Sequence, residues 1–117
     1  MSSIYGHVAN RYRSPYVTAK HGVEGMTKAL ALDWSTYGIR VVSIAPAYIK
    51  TPLGEPDSSA TQDYSDSDVD QRTPLHRWGT VDEVADAALF AASERATYVT
   101  GSSLLIDGGW VANGGWS

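Results

Sequence analysis

Between Ser14 and Tyr37, apolar positions recur three and four residues apart: Val23, Met26, Leu30, Trp34 and Tyr37 fall on one side of a helical wheel. The spacing predicts an amphipathic helix over about 14–37 with that stripe buried. Ser14 and Pro15 suit its opening, because a serine side chain can cap free N–H groups and proline in the first turn forfeits no hydrogen bond. Gly22 and Gly25 oppose helicity by roughly 1 kcal/mol each relative to alanine, which predicts something packed close to the backbone there. Gly38 ends the helix.

From Ile39 to Ala45 the pattern changes to a nearly continuous apolar run, IRVVSIA, bounded by Gly38 and Pro46. Such a run predicts a strand covered on both faces. The stretch PAYIKTPLGEP that follows is too rich in Pro and Gly to be regular. Asp57 to Asp70 has little to bury, so 53–72 reads as a mobile acidic flap, a substrate-loop region, with room for one short helix. Thr80-Val81-Asp82-Glu83 has the form of a capping box, predicting a helix to about Ala92 with Val81, Val84, Ala85, Ala88 and Leu89 buried. Ser103 to Ile106 is a second apolar strand, closed by an Asp107-Gly108-Gly109 turn. The order is helix, strand, helix, strand. It describes two parallel strands joined by a crossover in an α/β layer, without internal repeats.

Composition narrows the picture. With 117 residues, 43% hydrophobic and carrying four Trp and seven Tyr, the chain has material for one small domain, 1–117. It has no cysteine, which excludes disulfides, thiolate metal sites and cysteine nucleophiles and fits a reducing, cytoplasmic setting. No apolar run approaches the ~18 residues of a membrane span, and the first residues lack a basic segment followed by an apolar core, so no membrane partner is expected. The net charge of -4 is local, since Glu55, Asp57, Asp63, Asp66, Asp68 and Asp70 lie together with no Lys or Arg among them. Neither that segment nor the rest carries the basic stripe that nucleic acid requires.

The candidate chemistry is Tyr16 and Lys20. Four residues apart on a helix, they stand about 40° apart on the wheel and can reach one site. A phenol titrating near 10 is a poor base at neutral pH, and lowering its pKa by three units takes about 4 kcal/mol. One cation at about 4 Å, at an effective dielectric of ~20, provides an interaction of that size before desolvation. The same pair also describes a half-exposed tyrosine beside a lysine whose stem lies on apolar surface.

Further motifs join this pair. Ser2-Ser3 stands upstream, with Ser3 thirteen residues before Tyr16 and ahead of Gly6. Pro46-Ala47-Tyr48-Ile49-Lys50-Thr51-Pro52 follows the first strand, and Pro74-Leu75-His76-Arg77-Trp78-Gly79 precedes Glu83-Val84-Ala85. Val99-Thr100-Gly101 and Asp107-Gly108-Gly109 close the series. In this order, over nearly the whole chain, they resemble the C-terminal half of a short-chain dehydrogenase/reductase of the 3-oxoacyl-reductase-like branch.

The resemblance implies the C-terminal part of a Rossmann-like doubly wound parallel sheet, and an oxidoreductase that interconverts a secondary alcohol and a ketone with NAD or NADP and no metal. The substrate would be a sugar, polyol or acyl ketone. By the same resemblance Tyr16 is the catalytic acid or base, Lys20 tunes it and holds the nicotinamide ribose, and Ser3 (or Ser2, one position away) holds the substrate oxygen. Pro46, Ile49 and Thr51 flank the nicotinamide. A homo-oligomer, dimer or tetramer, is implied for a full-length form.

Departures from the pattern are as informative. The glycine-rich dinucleotide turn has no counterpart, so the N-terminal dinucleotide-binding half is expected to be absent and cofactor binding is expected only in a complete protein. A sheet edge that is normally central would face water, with the helices only partly covered. The alternative function is a non-catalytic association module. Ala47 stands where the family usually has Gly, and Val42 where Asn is common. His21 and His76 lack ligand-like spacing and read as surface histidines. Trp110 and Trp116 suggest a subunit contact or a substrate wall. Tyr5, Tyr12 and Arg13, between the serine and the tyrosine, suggest substrate contact or plain surface.

Overall fold

The computed structural model describes residues 1–51 and 65–114. Most of the acidic segment, and Trp116, lie outside the described residues.

Strand β1 (Ser43–Pro46) runs parallel to β4 (Ser103–Ile106), Ser43 opposite Ser103 and Pro46 opposite Ile106. The crossover helix between them is α3 (Val81–Ala92). The strand–helix–strand order and parallel pairing are those expected. The first strand is shorter than 39–45 and begins later, for a local reason. Val41 N–H is taken by the Thr100 hydroxyl and its carbonyl by Gly101 N, so bonds outside the β1–β4 ladder hold the chain there. The strand is also less covered than expected, with only Ser43 and Ala45 of its four residues buried. At its other edge Ser2 N donates to the Ile44 carbonyl at 2.8 Å, a single link from the preceding segment. A second parallel pair, β2 (Ile49–Lys50) with β3 (Gly79–Thr80), was not legible in the pattern because each strand has two residues.

Helix α1 (Ser14–Trp34) is continued by a 3-10 turn at Ser35–Tyr37 and ended by Gly38 at φ 72°. Its opening differs from expectation: Arg13 takes the capping position without a side-chain bond, and Ser14 and Pro15 lie inside the first turn. The buried face differs too. Glu24, Thr27 and Ala31 are buried, whereas Met26, Trp34 and Tyr37 are 54%, 41% and 76% exposed. The helix docks by its small and polar side, against a 3-10 turn at Ile4–Gly6 and the sheet. Gly6 permits the approach, since a Cβ there would lie 2.7 Å from Ser2 Oγ and 2.9 Å from the Lys20 carbonyl oxygen. Gly22 and Gly25, by contrast, have nothing within 4 Å of a Cβ, so the close packing expected at them is not found.

Helix α3 opens on the expected capping box, with Thr80 accepting from Glu83 N and Glu83 from Thr80 N. None of its residues is fully buried. Val84 and Ala88 are half-buried, but Val81, Ala85 and Leu89 are exposed, because two strands of four residues are too narrow to cover the helix. Its C-terminal end is held by Arg40, whose guanidinium donates to the carbonyls of Ala91, Ser93 and Val99 at 2.8, 3.1 and 3.2 Å. The short helix allowed for in the acidic segment is α2 (Asp66–Arg72), capped reciprocally by Ser65 and Asp68 and anchored by the fully buried Val69. No helix among the described residues is long and apolar enough to cross a membrane.

The Asp107-Gly108-Gly109 turn closes β4 as expected. Asp107 accepts from Gly109 N and Val111 N, both at 2.9 Å, and Gly108 has φ 59°. A Cβ on Gly108 would clash with Thr73 Cγ2. Gly108→Ala should therefore combine left-handed strain with a clash and lower stability by about 2 kcal/mol or more. Gly38→Ala, in open space at φ 72°, should cost only the backbone part, about 1 kcal/mol. Thermal unfolding of the two variants checks the difference; equal losses would remove the packing argument.

Candidate active site

Tyr16 occupies the first turn of α1 and Lys20 the next, so helix geometry places both side chains on one side. The Lys20 ammonium lies over the Tyr16 ring, 5.4 Å from its centroid, and donates to the Met1 carbonyl at 3.2 Å. Tyr16 is 45% exposed, which leaves the phenol accessible. Ser3 is buried and caps the 3-10 turn, its hydroxyl accepting from Tyr5 N at 3.3 Å. The Tyr5 ring meets the Tyr16 ring edge-on at 6.1 Å. Tyr5 thus touches Ser3 through its backbone and Tyr16 through its side chain.

The Pro46–Thr51 segment leaves the C-terminal end of β1 on the other side of this cluster. Ala47 N donates to the Ile106 carbonyl, and Ile49 enters β2 opposite Gly79. A Cβ on Gly79 would lie 2.6 Å from Ile49 Cδ1, so the end of that side chain would have to turn aside. Thr51 is exposed. Ala47, where glycine was expected, is accommodated without strain: among the described residues only Tyr12 and His76 are non-glycines with positive φ. Tyr48 reaches back across the gap, its hydroxyl 3.0 Å from that of Tyr5.

Beneath the site lies a carboxylate that the apolar pattern concealed. Glu24, 7% exposed, accepts from Ser43 Oγ at 3.0 Å to each oxygen and from Ser103 Oγ at 3.2 Å. His7 Nε2 is 3.4 Å from the same carboxylate and 3.0 Å from Ser103 Oγ. The Ser2 hydroxyl faces it as well, outside good hydrogen-bond geometry. Burial would raise the Glu24 pKa. The hydroxyls of Ser2 and Ser43, the His7 ring and Ser103 outweigh it and hold the group below the ordinary glutamate value. The available signal was spacing: Tyr16, Lys20, Glu24, Thr27 and Ala31 follow one another at four, four, three and four residues.

A cavity of about 200 Å³ opens at the C-terminal ends of β1 and β4, lined by Tyr48, Thr73, Leu75, Arg77, Glu83 and Asp107 among others. It adjoins Tyr48, but Ser3, Tyr16 and Lys20 do not line it. Arg77 grips Glu83 with two bonds of 2.6 and 3.0 Å, and with the Thr80 backbone N–H this holds the Glu83 carboxyl down at about 2. The remaining residues singled out in the sequence lie elsewhere. His21 bonds the Val17 carbonyl and His76 the Asp70 carbonyl. Tyr12 is fully exposed, and Trp110 packs on Tyr48 within the chain.

The chain is similar to a large set of known proteins. A family model described as enoyl-(acyl carrier protein) reductase matches residues 1–111. A D-beta-hydroxybutyrate dehydrogenase of Rhizobium meliloti is 38% identical over 96% of this chain and 46% of its own length. An L-fucose dehydrogenase of Bos taurus is 46% identical over 93% of this chain and 41% of its own. A crystal structure of a gluconate 5-dehydrogenase from Burkholderia cenocepacia, in complex with NADP and tartrate, superposes with a TM-score of 0.83 at 37% identity, covering 95% of this chain and 43% of that one. The chain spans less than half the length of each of these proteins.

Because the Glu24 pKa is lowered in the fold, the unfolded chain takes up its proton first as the solution is acidified. The stabilisation from Glu24 is therefore complete above the ordinary value of 4.5 and is lost as pH falls through the lower folded value. Asp68 and Glu83, also lowered, contribute to acid sensitivity in every variant. Unfolding midpoints of the wild type should thus fall more steeply below pH 4.5 than those of Glu24→Gln, the difference belonging to Glu24. Parallel curves would show that the carboxylate does not carry the junction.

Proposed function

The chain belongs to the short-chain dehydrogenase/reductase family, and from that premise we propose that it supplies the proton-transfer residues of an NAD(P)-dependent oxidoreductase interconverting a secondary alcohol and a ketone. The observation that carries the reading is the accessible phenol of Tyr16 under the Lys20 ammonium, its ring met edge-on by Tyr5, whose backbone N–H donates to the buried hydroxyl of Ser3. In oxidation Tyr16 Oη takes the proton of the substrate hydroxyl; in reduction it returns a proton to the carbonyl oxygen. Ser3 holds that oxygen, and Lys20 keeps a positive charge against the ring that handles the proton.

The residues present suit the nicotinamide end of a dinucleotide: a cation, an open phenol face and a strand end followed by the exposed hydroxyl of Thr51. Tyr16, Lys20, Pro46, Ile49 and Thr51 would hold it. Bound there, nicotinamide supplies the hydride acceptor or donor. These 117 residues contain no glycine-rich turn for the phosphates, and we assign that part to a segment outside them. Relatives named for hydroxybutyrate, L-fucose and gluconate support small hydroxy acids and sugars as the substrate classes to test first. The exposed apolar residues Met26, Leu32, Leu89 and Phe90 suit contact with a second copy, and they are also what a purely associative module would use.

In the complete enzyme, Tyr16→Phe should reduce turnover by about 10²- to 10⁴-fold while leaving dinucleotide affinity within about threefold. Steady-state kinetics with a dinucleotide titration distinguishes the readings. Unimpaired turnover in this variant would remove Tyr16 from the reaction, and a wild type that reduces no ketone would favour the associative module.

A further inference from the structure

Two phenols link the two sides of the candidate site. Tyr5 belongs to the side that carries the proton chemistry, touching Ser3 by its backbone N–H and Tyr16 by its ring. Tyr48 belongs to the segment that leaves β1, and its hydroxyl meets that of Tyr5 at 3.0 Å. The Asn10 amide donates to the same Tyr5 oxygen at 3.3 Å. Behind them Tyr48 packs on Trp110, with ring centroids 4.9 Å apart, and edge-on against Trp78 at 5.7 Å. The Trp78 indole N–H has no hydrogen-bond partner among the described residues, a donor left for a hydroxyl or water to satisfy.

We propose that the Tyr5–Tyr48 phenol pair is the specificity-determining wall of the substrate site and selects a polyhydroxylated substrate, a sugar or sugar acid, over a bare secondary alcohol. Rings that bring apolar surface at low entropy cost, tipped by hydroxyls that both donate and accept, match molecules whose C–H and O–H groups alternate. A site that hydrogen-bonds substrate hydroxyls disfavours an analogue lacking them, because a buried donor such as the Trp78 indole N–H is then left unpaired. The pair also bridges the proton side and the β1 side, Tyr5 touching Tyr16 and Tyr48 lining the cavity at the strand ends. The inference rests on the dehydrogenase reading for the reaction, but not for the binding.

The test compares Tyr5→Phe and Tyr48→Phe, which keep the rings and remove one oxygen each, with gluconate and cyclohexanol as substrates of the complete enzyme. The wild type should prefer gluconate in kcat/KM. Each variant should raise KM for gluconate about five- to tenfold with kcat within twofold, and leave KM for cyclohexanol within twofold. Circular dichroism establishes that the variants fold. Equal losses on both substrates, no loss on either, or a wild-type preference for cyclohexanol would overturn the proposal. Tryptophan fluorescence, reporting from Trp78 and Trp110 beside Tyr48, follows gluconate binding independently of turnover. A saturable signal weakened in Tyr48→Phe, in a protein that oxidises no alcohol, would sustain the wall and sink the dehydrogenase reading. Alcohol oxidation indifferent to both phenols would sink the wall alone, and absence of both turnover and binding would sink the two together.

Discussion

A carboxylate taken out of water must find donors, and in this protein that requirement organises the junction of helix and sheet. Glu24 satisfies it with Ser43 from β1 and Ser103 from β4, and His7 stands beside it from the segment after the first 3-10 turn. Four parts of the chain far apart in sequence are thereby brought to one point. Directional bonds to two hydroxyls on adjacent strands determine the rotation of α1 about its axis. Contacts among methyl groups alone would tolerate several rotations.

That rotation decides what the rest of the helix does. Lys20 and Tyr16 lie one and two turns before Glu24 on the same face, so docking the carboxylate onto the strands also brings the ammonium and the phenol to the end of the sheet. Gly6 lets the preceding turn come within contact of the Lys20 carbonyl, which places Tyr5 beside Tyr16. The cluster of candidate residues is a consequence of the polar junction, and its second wall, from Pro46 to Thr51, follows directly from the end of β1.

The same rotation turns much of the apolar surface outward. Met26, Trp34 and Tyr37 on the α1 side, with Leu89 and Phe90 on α3, are exposed, and among the described residues the buried apolar side chains are few and mostly small: Ile4, Ala31, Ala45, Val69 and Ala96. Two short parallel strands cannot cover two helices. Other contacts compensate in part, notably Arg40, which fastens the end of α3 to the start of β1 through three carbonyls.

Where local rules apply, the amino-acid sequence determined the outcome. The Thr80–Glu83 capping box, the Gly38 stop, the limits of α3, the second strand and the Asp107-Gly108-Gly109 turn depend on backbone chemistry within a few residues. The helical spacing of Tyr16 and Lys20 is of the same kind, and the motif order carried the family. Tertiary structure decided which face of each helix is buried. A stripe of Val23, Met26, Leu30, Trp34 and Tyr37 is a valid apolar face of an isolated helix, and only the serines of two distant strands make the Glu24 face the one that docks. It likewise decided the Tyr5–Tyr48 bond, which spans 43 positions, and the β2–β3 pair, since contacts between segments this short and this far apart leave no periodicity to read.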